Sequence, residues 1–157
     1  MDQRQADRQA LSRLLETTPV RDVMTSPVVS IRTDEKFSRV VHLFNDHRIR
    51  HLPVINTQGQ VVGIVTQRDL YKIQSPRRLE DGSWYYDPDA LDDIILGQVM
   101  NTRLHLLTPD QSVSAAVEPM VKHKYGCLVV VDKNKKPAGI ITQYDLLEMA
   151  YKTLPVK

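Results

Sequence analysis

Apolar positions alternate between helical spacing and short continuous runs, an order that predicts helices packed on small sheets. In the first half of the chain, an i, i+3, i+4, i+7 pattern predicts one buried helix face, formed by Phe37, Val40, Val41 and Phe44. Apolar runs follow at residues 51–55 and 61–65, and the turn residues between them, Asn56-Thr57-Gln58-Gly59, predict a β-hairpin.

Weaker signals frame these elements. Residues 28–31 predict a short strand, and Thr33-Asp34 predicts an N-cap for the first helix. A second helix is expected from Thr66 to about Gln74, where Ser75-Pro76 ends it. The first half therefore predicts the order β-α-β-β-α.

The second half predicts the same order again. A short strand at residues 104–107 precedes a helix start of the capping-box kind at Thr108-Pro109-Asp110-Gln111. A hairpin at residues 127–131 and 137–141 and a last helix at residues 143–152 follow. The helix between them has a predicted buried face of Val113, Ala116, Val117 and Met120. Pro119 lies inside that helix and predicts a kink or an early end.

Two further segments flank the repeats. Residues 3–16 have a thin apolar stripe and predict an N-terminal helix, within an arm of residues 1–19. Residues 75–97 form a linker, polar at first, with a helix that starts at Asp87-Pro88-Asp89 and mirrors the N-terminal helix. One face of this linker helix is expected to hold Leu91, Ile94 and Ile95. The repeats themselves are predicted at residues 20–74 and 98–157, as one integrated module.

The duplication is clearest in one phrase of eight residues. Gly63-Ile64-Val65-Thr66-Gln67-Arg68-Asp69-Leu70 returns, 76 residues later, as Gly139-Ile140-Ile141-Thr142-Gln143-Tyr144-Asp145-Leu146. The same offset, without a gap, superposes Val23-Met24 on Val99-Met100. A single repeat of about 50 residues buries too little surface to be comfortably stable. The two copies are therefore expected to pack on each other.

These motifs resemble a tandem cystathionine-β-synthase (CBS) domain pair, the Bateman module. The resemblance rests on the two Val-Met openings, the strands at residues 52–55 and 128–131, and the two Gly-hydrophobic-x-Thr-x-x-Asp phrases. It covers residues 20–72 and 95–150. The resemblance implies an α/β (α+β) fold of two β-α-β-β-α CBS repeats related by pseudo-twofold symmetry. It also implies a homodimer.

Composition narrows the function classes. The chain is 41% apolar and 25% charged, as in ordinary globular domains, and its formal charge of +2 is too small to imply nucleic acid or an anionic membrane as partner. The single cysteine, Cys127, excludes an intramolecular disulfide, and no apolar run approaches a bilayer-spanning length. The expectation is a cytoplasmic protein with no nucleic acid or membrane partner.

The repeated Thr-x-x-Asp motif has two interpretations. Thr66 with Asp69, and Thr142 with Asp145, have the spacing that caps the start of a helix. The same geometry suits a nucleotide, because a helix N-terminus favours an anion and a carboxylate accepts hydrogen bonds from a ribose diol. In the modules that this sequence resembles, the Thr contacts phosphate and the Asp holds the ribose of adenosine ligands.

Arg50 and His51 directly precede a predicted strand, and the resemblance places basic residues there against ligand phosphates. The alternative is a pair of solvated basic residues at a strand end. Repeat two has Gly126 and Cys127 at these positions, so the two sites are expected to differ in phosphate contacts. Arg48 and Lys124 are assigned to the surface.

The remaining candidate site residues have weaker support from the sequence. The aromatic run Trp84-Tyr85-Tyr86 is interpreted as a loop anchor, with an adenine platform as the alternative. The five histidines lack metal-ligand spacing, so no metal site is predicted. Neither a catalytic triad nor a paired-carboxylate arrangement can be argued, so no catalytic residues are assigned and an enzyme is disfavoured.

The resulting hypothesis is a regulatory, energy-sensing module that binds an adenosine-containing ligand between its two repeats. AMP, ADP and ATP are the leading ligands, S-adenosylmethionine and NAD are open, and no cofactor is required. The output is expected to pass to an effector protein. The rival hypothesis is a ligand-free interaction or dimerisation scaffold in which Thr66 and Thr142 only cap helices.

Overall fold

The computed structural model describes residues 2–74 and 77–154. Its elements, in chain order, are α1 (Gln3–Thr17), β1 (Ile31–Arg32), α2 (Ser38–His47), β2 (His51–Ile55), β3 (Val61–Thr66), α3 (Gln67–Ile73), β4 (Arg77–Arg78), β5 (Trp84–Tyr85), α4 (Pro88–Asp92), α5 (Leu96–Val99), β6 (Leu106–Leu107), α6 (Val113–His123), β7 (Cys127–Val131), β8 (Pro137–Thr142) and α7 (Gln143–Lys152). A 3-10 turn at Val20–Asp22 follows α1. Mixed helix and strand content in the predicted order β-α-β-β-α, twice, confirms the fold class.

The chain forms two compact units. We call residues 29–104 the central unit, and residues 1–28 together with residues 105–157 the terminal unit. The central unit therefore contains the first hairpin and the linker, whereas the terminal unit combines the N-terminal arm with the body of the second repeat. The chain crosses between the units at residues 28–29 and 104–105, so the limits of the units are not those of the predicted repeats.

The central unit is built on the sheet β1-β2-β3. β1 runs parallel to β2, with Ile31 opposite Val54, and β2 runs antiparallel to β3, with Val54 opposite Gly63. Apolar residues of α2 and of the sheet form its core, together with the fully buried Phe37, the N-cap of α2. The linker completes this core with Tyr86, Leu91 and Leu96, the last two from α4 and α5.

The terminal unit repeats the plan with the sheet β6-β7-β8. β6 is parallel to β7, and β7 is antiparallel to β8, with Val130 opposite Gly139. Its core includes Met120 from α6 and Ile141 from β8. Val20 joins this core from the segment that follows α1, and α1 itself lies against α6.

Each repeat's opening segment pairs with the sheet of the other repeat. Thr25 forms two backbone hydrogen bonds with Ile140 at the third strand of the terminal unit. In the central unit Asn101, its counterpart in the repeat alignment, forms the same two bonds with Ile64. The Val-Met openings therefore belong, in space, to the units that contain the other copy of the hairpin.

Several local predictions are wrong in extent. The strands expected at residues 28–31 and 104–107 are two residues each, at Ile31–Arg32 and Leu106–Leu107. The linker helix is two short helices, α4 and α5. Ile95 is the N-cap of α5 and is 62% exposed, so it does not share the buried face of Leu91.

Helix starts and Pro119 also differ from expectation. Thr33-Asp34 does not cap α2, which starts at Ser38 with its backbone N–H donating to the Asp92 carboxylate of α4. α6 starts at Val113 with Ser112 as N-cap, although Gln111 does accept a hydrogen bond from the Thr108 backbone. The helix continues through Pro119 to His123, so the early end predicted there is wrong, and the proline ring is buried on the same face as Ala116. The predicted stop at Ser75-Pro76 lies outside the described residues.

Candidate functional site

The first Thr-x-x-Asp motif lies where β3 passes into α3. The backbone N–H of Thr66 and its hydroxyl both donate to Oδ2 of Asp69, at 2.9 and 2.7 Å. This is one arm of a capping box, in which a residue in the first turn satisfies the N-cap backbone. The helix-capping interpretation of this motif is therefore correct as a statement about local structure.

The second motif has the same arrangement at the start of α7. Thr142 donates from its backbone and its hydroxyl to Oδ2 of Asp145, at 2.7 and 2.6 Å. In return the Thr142 hydroxyl accepts from the backbone N–H groups of Tyr144 and Asp145. Capping leaves only Oδ1 of each carboxylate for any further partner.

The remaining carboxylate oxygens differ between the motifs. Oδ1 of Asp69 is 3.2 Å from the ammonium of Lys72, a side chain that is itself 70% exposed. Oδ1 of Asp145 accepts a hydrogen bond of 2.9 Å from the hydroxyl of Thr25. Asp145 is also the more enclosed of the two, with 6% of its surface exposed.

The charge state of Asp69 follows from opposing effects. Partial burial would raise the pKa of its carboxyl, but the hydrogen bonds from Thr66 and the ion pair with Lys72 outweigh burial and hold the pKa below its ordinary value. Asp69 is therefore ionised at neutral pH. A carboxylate is acceptor-only, which suits donation from a diol.

Arg50 and His51 lie beside the first motif. His51 begins β2 and pairs directly with Thr66 at the end of β3. The carbonyl of Arg50 accepts from the backbone N–H of Gln67, the first residue of α3. The central unit thus brings together four of the predicted site residues, Arg50, His51, Thr66 and Asp69.

We call the place where β2 begins and β3 passes into α3 the corner of the unit. Its positive charge comes from Arg50. Burial lowers the pKa of His51, and the adjacent positive charge of Arg50 lowers it further. The imidazole is therefore neutral at neutral pH and can donate or accept a hydrogen bond without carrying charge. Arg50 is exposed, and among the residues that the structure describes its guanidinium has no carboxylate partner.

The equivalent corner of the terminal unit has no basic side chain at these two positions. Gly126 and Cys127 occupy the positions of Arg50 and His51, and Cys127 pairs with Thr142 as His51 pairs with Thr66. Burial raises the pKa of the Cys127 thiol to about 12, so it stays protonated and unreactive. The two corners share a backbone design but differ in charge.

A cleft of about 380 Å³ adjoins Arg50 in the central unit. It is lined by Arg48, Arg50, Gln67 and Trp84, among others. Arg48 ends α2 in the left-handed conformation, with φ of 52°. Sequence reasoning assigned Arg48 to the surface and missed Gln67. The helix start at Thr66 was a signal for Gln67, and Trp84 belongs to the aromatic run for which an adenine platform was the alternative.

The aromatic run divides between two roles. Tyr86 is buried in the core of the central unit, as the loop-anchor interpretation predicts. Trp84 is half-buried at the cleft, its carbonyl accepts from the Asn45 amide, and the Arg78 guanidinium lies 6.0 Å from its ring centroid. The hairpin β4-β5 that holds Trp84 was not predicted.

Two further properties limit the chemistry of the described residues. None of their helices is long and apolar enough to cross a bilayer. In residues 2–74 and 77–154, no three side chains of His, Cys, Asp or Glu lie close enough to hold a metal ion together.

Comparison with known proteins finds sequence relatives of this chain. The chain is 30% identical over 136 residues to a homoserine O-acetyltransferase of Methanococcoides burtonii, covering 87% of this chain and 25% of that protein. The chain thus spans about a quarter of the length of that enzyme.

Solved structures match over most of their length. The CBS domain of a CBS domain-containing membrane protein from Sphaerobacter thermophilus is 27% identical with a TM-score of 0.75, covering 98% of both chains. The CBS domain pair of protein MJ0100, in complex with 5′-methylthioadenosine and S-adenosyl-L-methionine, is 20% identical with a TM-score of 0.72, covering 88% of this chain and 99% of that one. The family model for the CBS domain matches residues 20–75 and 96–152. With two such matches on a duplicated β-α-β-β-α fold, the chain belongs to the CBS domain family.

Proposed function

We propose that this CBS pair is a regulatory module that binds an adenosine-containing ligand and signals its presence to an effector protein. One observation carries the proposal. In the central unit Arg50, a guanidinium without a carboxylate partner among the described residues, lines a cleft, and an ionised carboxylate, Asp69, is held by Thr66 at the neighbouring strand end. A ribose diol donates hydrogen bonds to a carboxylate, and a phosphate accepts them from a guanidinium.

A similar structure with bound ligands supports the same class of ligand. The MJ0100 pair holds 5′-methylthioadenosine and S-adenosyl-L-methionine, both of which contain adenosine. Neither carries a phosphate, whereas Arg50 offers a bidentate donor suited to one. We therefore favour AMP, ADP or ATP over S-adenosylmethionine as the ligand of this chain, and NAD, which also carries phosphates, is included in the test below. The contributing residues are Thr66, Asp69, Thr142, Asp145, Arg50 and His51.

Assembly and output belong to the same proposal. A homodimer is proposed from the family resemblance, and an exposed apolar stripe on α7 supports it, because an unpaired apolar helix face is a common dimer surface. The stripe consists of Tyr144, Leu147 and Tyr151. The homoserine O-acetyltransferase match covers a quarter of that enzyme, so its activity is not carried over to this chain.

Calorimetry on carboxylate variants tests the proposal. Wild-type protein is titrated with adenosine, AMP, ADP, ATP, S-adenosylmethionine and NAD, and the best ligand is then titrated into Asp69→Ala, Asp145→Ala and the double variant. Losing charge-assisted hydrogen bonds to the diol is expected to weaken binding roughly 10- to 100-fold at an affected site. The double variant is expected to lose binding in the measurable range.

Asp132→Ala is the matched control for stability. Asp132 accepts from the backbone N–H groups of Asn134 and Lys136 in the turn between β7 and β8, so its loss also removes carboxylate hydrogen bonds. Denaturant melts should show a similar cost, while ligand affinity stays at the wild-type value. If wild type binds none of the ligands at millimolar concentration, the scaffold hypothesis replaces this proposal. Equal binding by wild type and double variant would make the ribose assignment wrong.

A further inference from the structure

The second carboxylate oxygen of Asp145 is occupied by a residue from the far end of the chain. The Thr25 hydroxyl donates to Oδ1 of Asp145 at 2.9 Å. Thr25 is held in place by two backbone bonds with Ile140, of 2.9 and 3.0 Å, and the adjoining Ser26 hydroxyl donates to the Ala138 carbonyl. The hydroxyl is therefore fixed against the carboxylate by the β8 strand.

The central unit has the same backbone without this contact. Asn101 is bracketed by two bonds with Ile64, of 2.9 and 3.0 Å, as Thr25 is with Ile140. Its side-chain oxygen, however, accepts from the backbone N–H of Arg103 at 2.9 Å. Asp69 is left with Lys72, an exposed partner whose ion pair is worth little and yields to a ligand at small cost.

The side chain at this one position thus separates the two motifs. A diol that approaches Asp69 replaces an exposed ammonium contact, whereas a diol that approaches Asp145 must displace a neutral hydrogen bond from a tethered hydroxyl. Asp145 already has each of its oxygens engaged, Oδ2 by Thr142 and Oδ1 by Thr25. Asp69 has the same number of contacts, so the motifs differ in what holds Oδ1, which is a tethered hydroxyl at Asp145 and an exposed ammonium at Asp69.

We propose that Thr25 closes the second motif to ligand, so that Asp69 is the primary ribose acceptor and Asp145 binds only when the Thr25 contact is released. This inference rests on the proposed function and specifies which of its two motifs is used. Thr25 acts as a built-in competitor for the diol, and the residue at its position, Thr in one repeat and Asn in the other, sets the order in which the motifs fill.

The test replaces Thr25 by valine, which removes the hydroxyl and keeps the branched shape of the side chain. In an Asp69→Ala background, where binding through the first motif is weakened, Thr25→Val is expected to restore adenosine-ligand binding by roughly 10-fold, the value of one competing hydrogen bond. Adding Asp145→Ala to this pair should abolish the gain. Thr25→Ser in the same background keeps the hydroxyl and should not show the gain. Thr25 is exposed, so the substitution does not disturb the core.

The reciprocal substitution tests the same idea in the central unit. Asn101→Thr places a hydroxyl where Thr25 stands in the other repeat, and it is expected to weaken ligand binding through Asp69 by a similar factor. Asn101→Ser should weaken it in the same direction, whereas Asn101→Val, which has no donor, should not. Thermal melts without ligand confirm that each variant is folded before its titration is interpreted.

Three results would overturn the inference. The first is that Asp145→Ala alone weakens wild-type binding as much as Asp69→Ala does, which would mean that both motifs are open and would leave the function itself intact. The second is that Thr25→Val, although folded, does not increase binding in the Asp69→Ala background. The third is that neither the wild type nor any variant binds an adenosine ligand. In that case the proposed function is wrong, and so is this inference.

Discussion

At the scale of single residues, two methionine side chains occupy the space that a Cβ on Gly63 or on Gly139 would need. A Cβ on Gly139 would lie 2.5 Å from the sulfur of Met24 and 2.9 Å from the carbonyl oxygen of Thr25. The three atoms nearest to a Cβ on Gly63 would all belong to the side chain of Met100. The glycines of the repeated phrase are therefore explained by the close approach of the Val-Met openings.

This difference predicts unequal costs for two alanine substitutions. Gly139→Ala should lower the free energy of unfolding by about 1–3 kcal/mol, because a backbone carbonyl cannot move away as a side chain can. Gly63→Ala should cost less, because the flexible Met100 side chain can adopt another rotamer. Urea melts measure both. Gly97→Ala is the control, since its nearest neighbour is 4.0 Å away in a helix that favours alanine. Equal costs at the two sites would contradict the explanation.

The same scale shows what sequence could and could not predict at the candidate site. The Thr66–Asp69 and Thr142–Asp145 contacts were predictable because three residues separate each pair and capping chemistry is local. The Thr25–Asp145 contact was not, because its partners are 120 residues apart and meet only after the opening segment pairs with β8. Neutral His51 was also hidden, since burial rather than residue type sets its charge.

At the scale of elements, the linker caps a helix of the first repeat. The Asp92 carboxylate accepts from the Ser38 backbone N–H at 3.2 Å and pairs with the Lys36 ammonium at 2.9 Å. Both hydrogen bonds hold the pKa of Asp92 below its ordinary value. A helix N-terminus leaves unpaired N–H groups that such a carboxylate satisfies.

Removing this cap should weaken the central unit. Asp92→Ala is expected to lower the free energy of unfolding, because the first N–H group of α2 and the Lys36 ammonium both lose their partner. Asp93→Ala, at an exposed position one residue further on, is the control and should change stability little. Chemical denaturation followed by circular dichroism measures both. A cost at Asp93 equal to that at Asp92 would show that the effect is not capping.

Elements were predictable in proportion to how local their causes are. Both hairpins and α7 matched expectation, because apolar runs, turn residues and helical spacing are read within a short window. β1 and β6 were overestimated, because a parallel strand is defined by a partner distant in sequence. The start of α2 was misplaced for the same reason, since its cap comes from α4 and not from the preceding residues.

At the scale of the whole molecule, the exposed stripe on α7 predicts self-association. Tyr144, Leu147 and Tyr151 are each at least 67% exposed and lie on one helix face. Wild-type protein is expected to sediment as a dimer at micromolar concentration, and Leu147→Glu with Tyr151→Glu to sediment as a monomer, because buried like charges oppose a symmetric interface. Lys133→Glu, an exposed charge change in the β7–β8 turn, is the control. A monomeric wild type, or a doubly charged variant that remains dimeric, would contradict this prediction.

The exchange of opening segments has a consequence for synthesis on the ribosome. The central unit is continuous in sequence, from residue 29 to residue 104, so it can complete its sheet and core as soon as that stretch has emerged. The terminal unit cannot, because Val20 and Thr25 await β8, which is made more than a hundred residues later. The segment around Val20 and Thr25 is therefore made before the central unit but pairs only after it, and a chain released after residue 104 and before β8 has one complete unit and an unpaired opening segment.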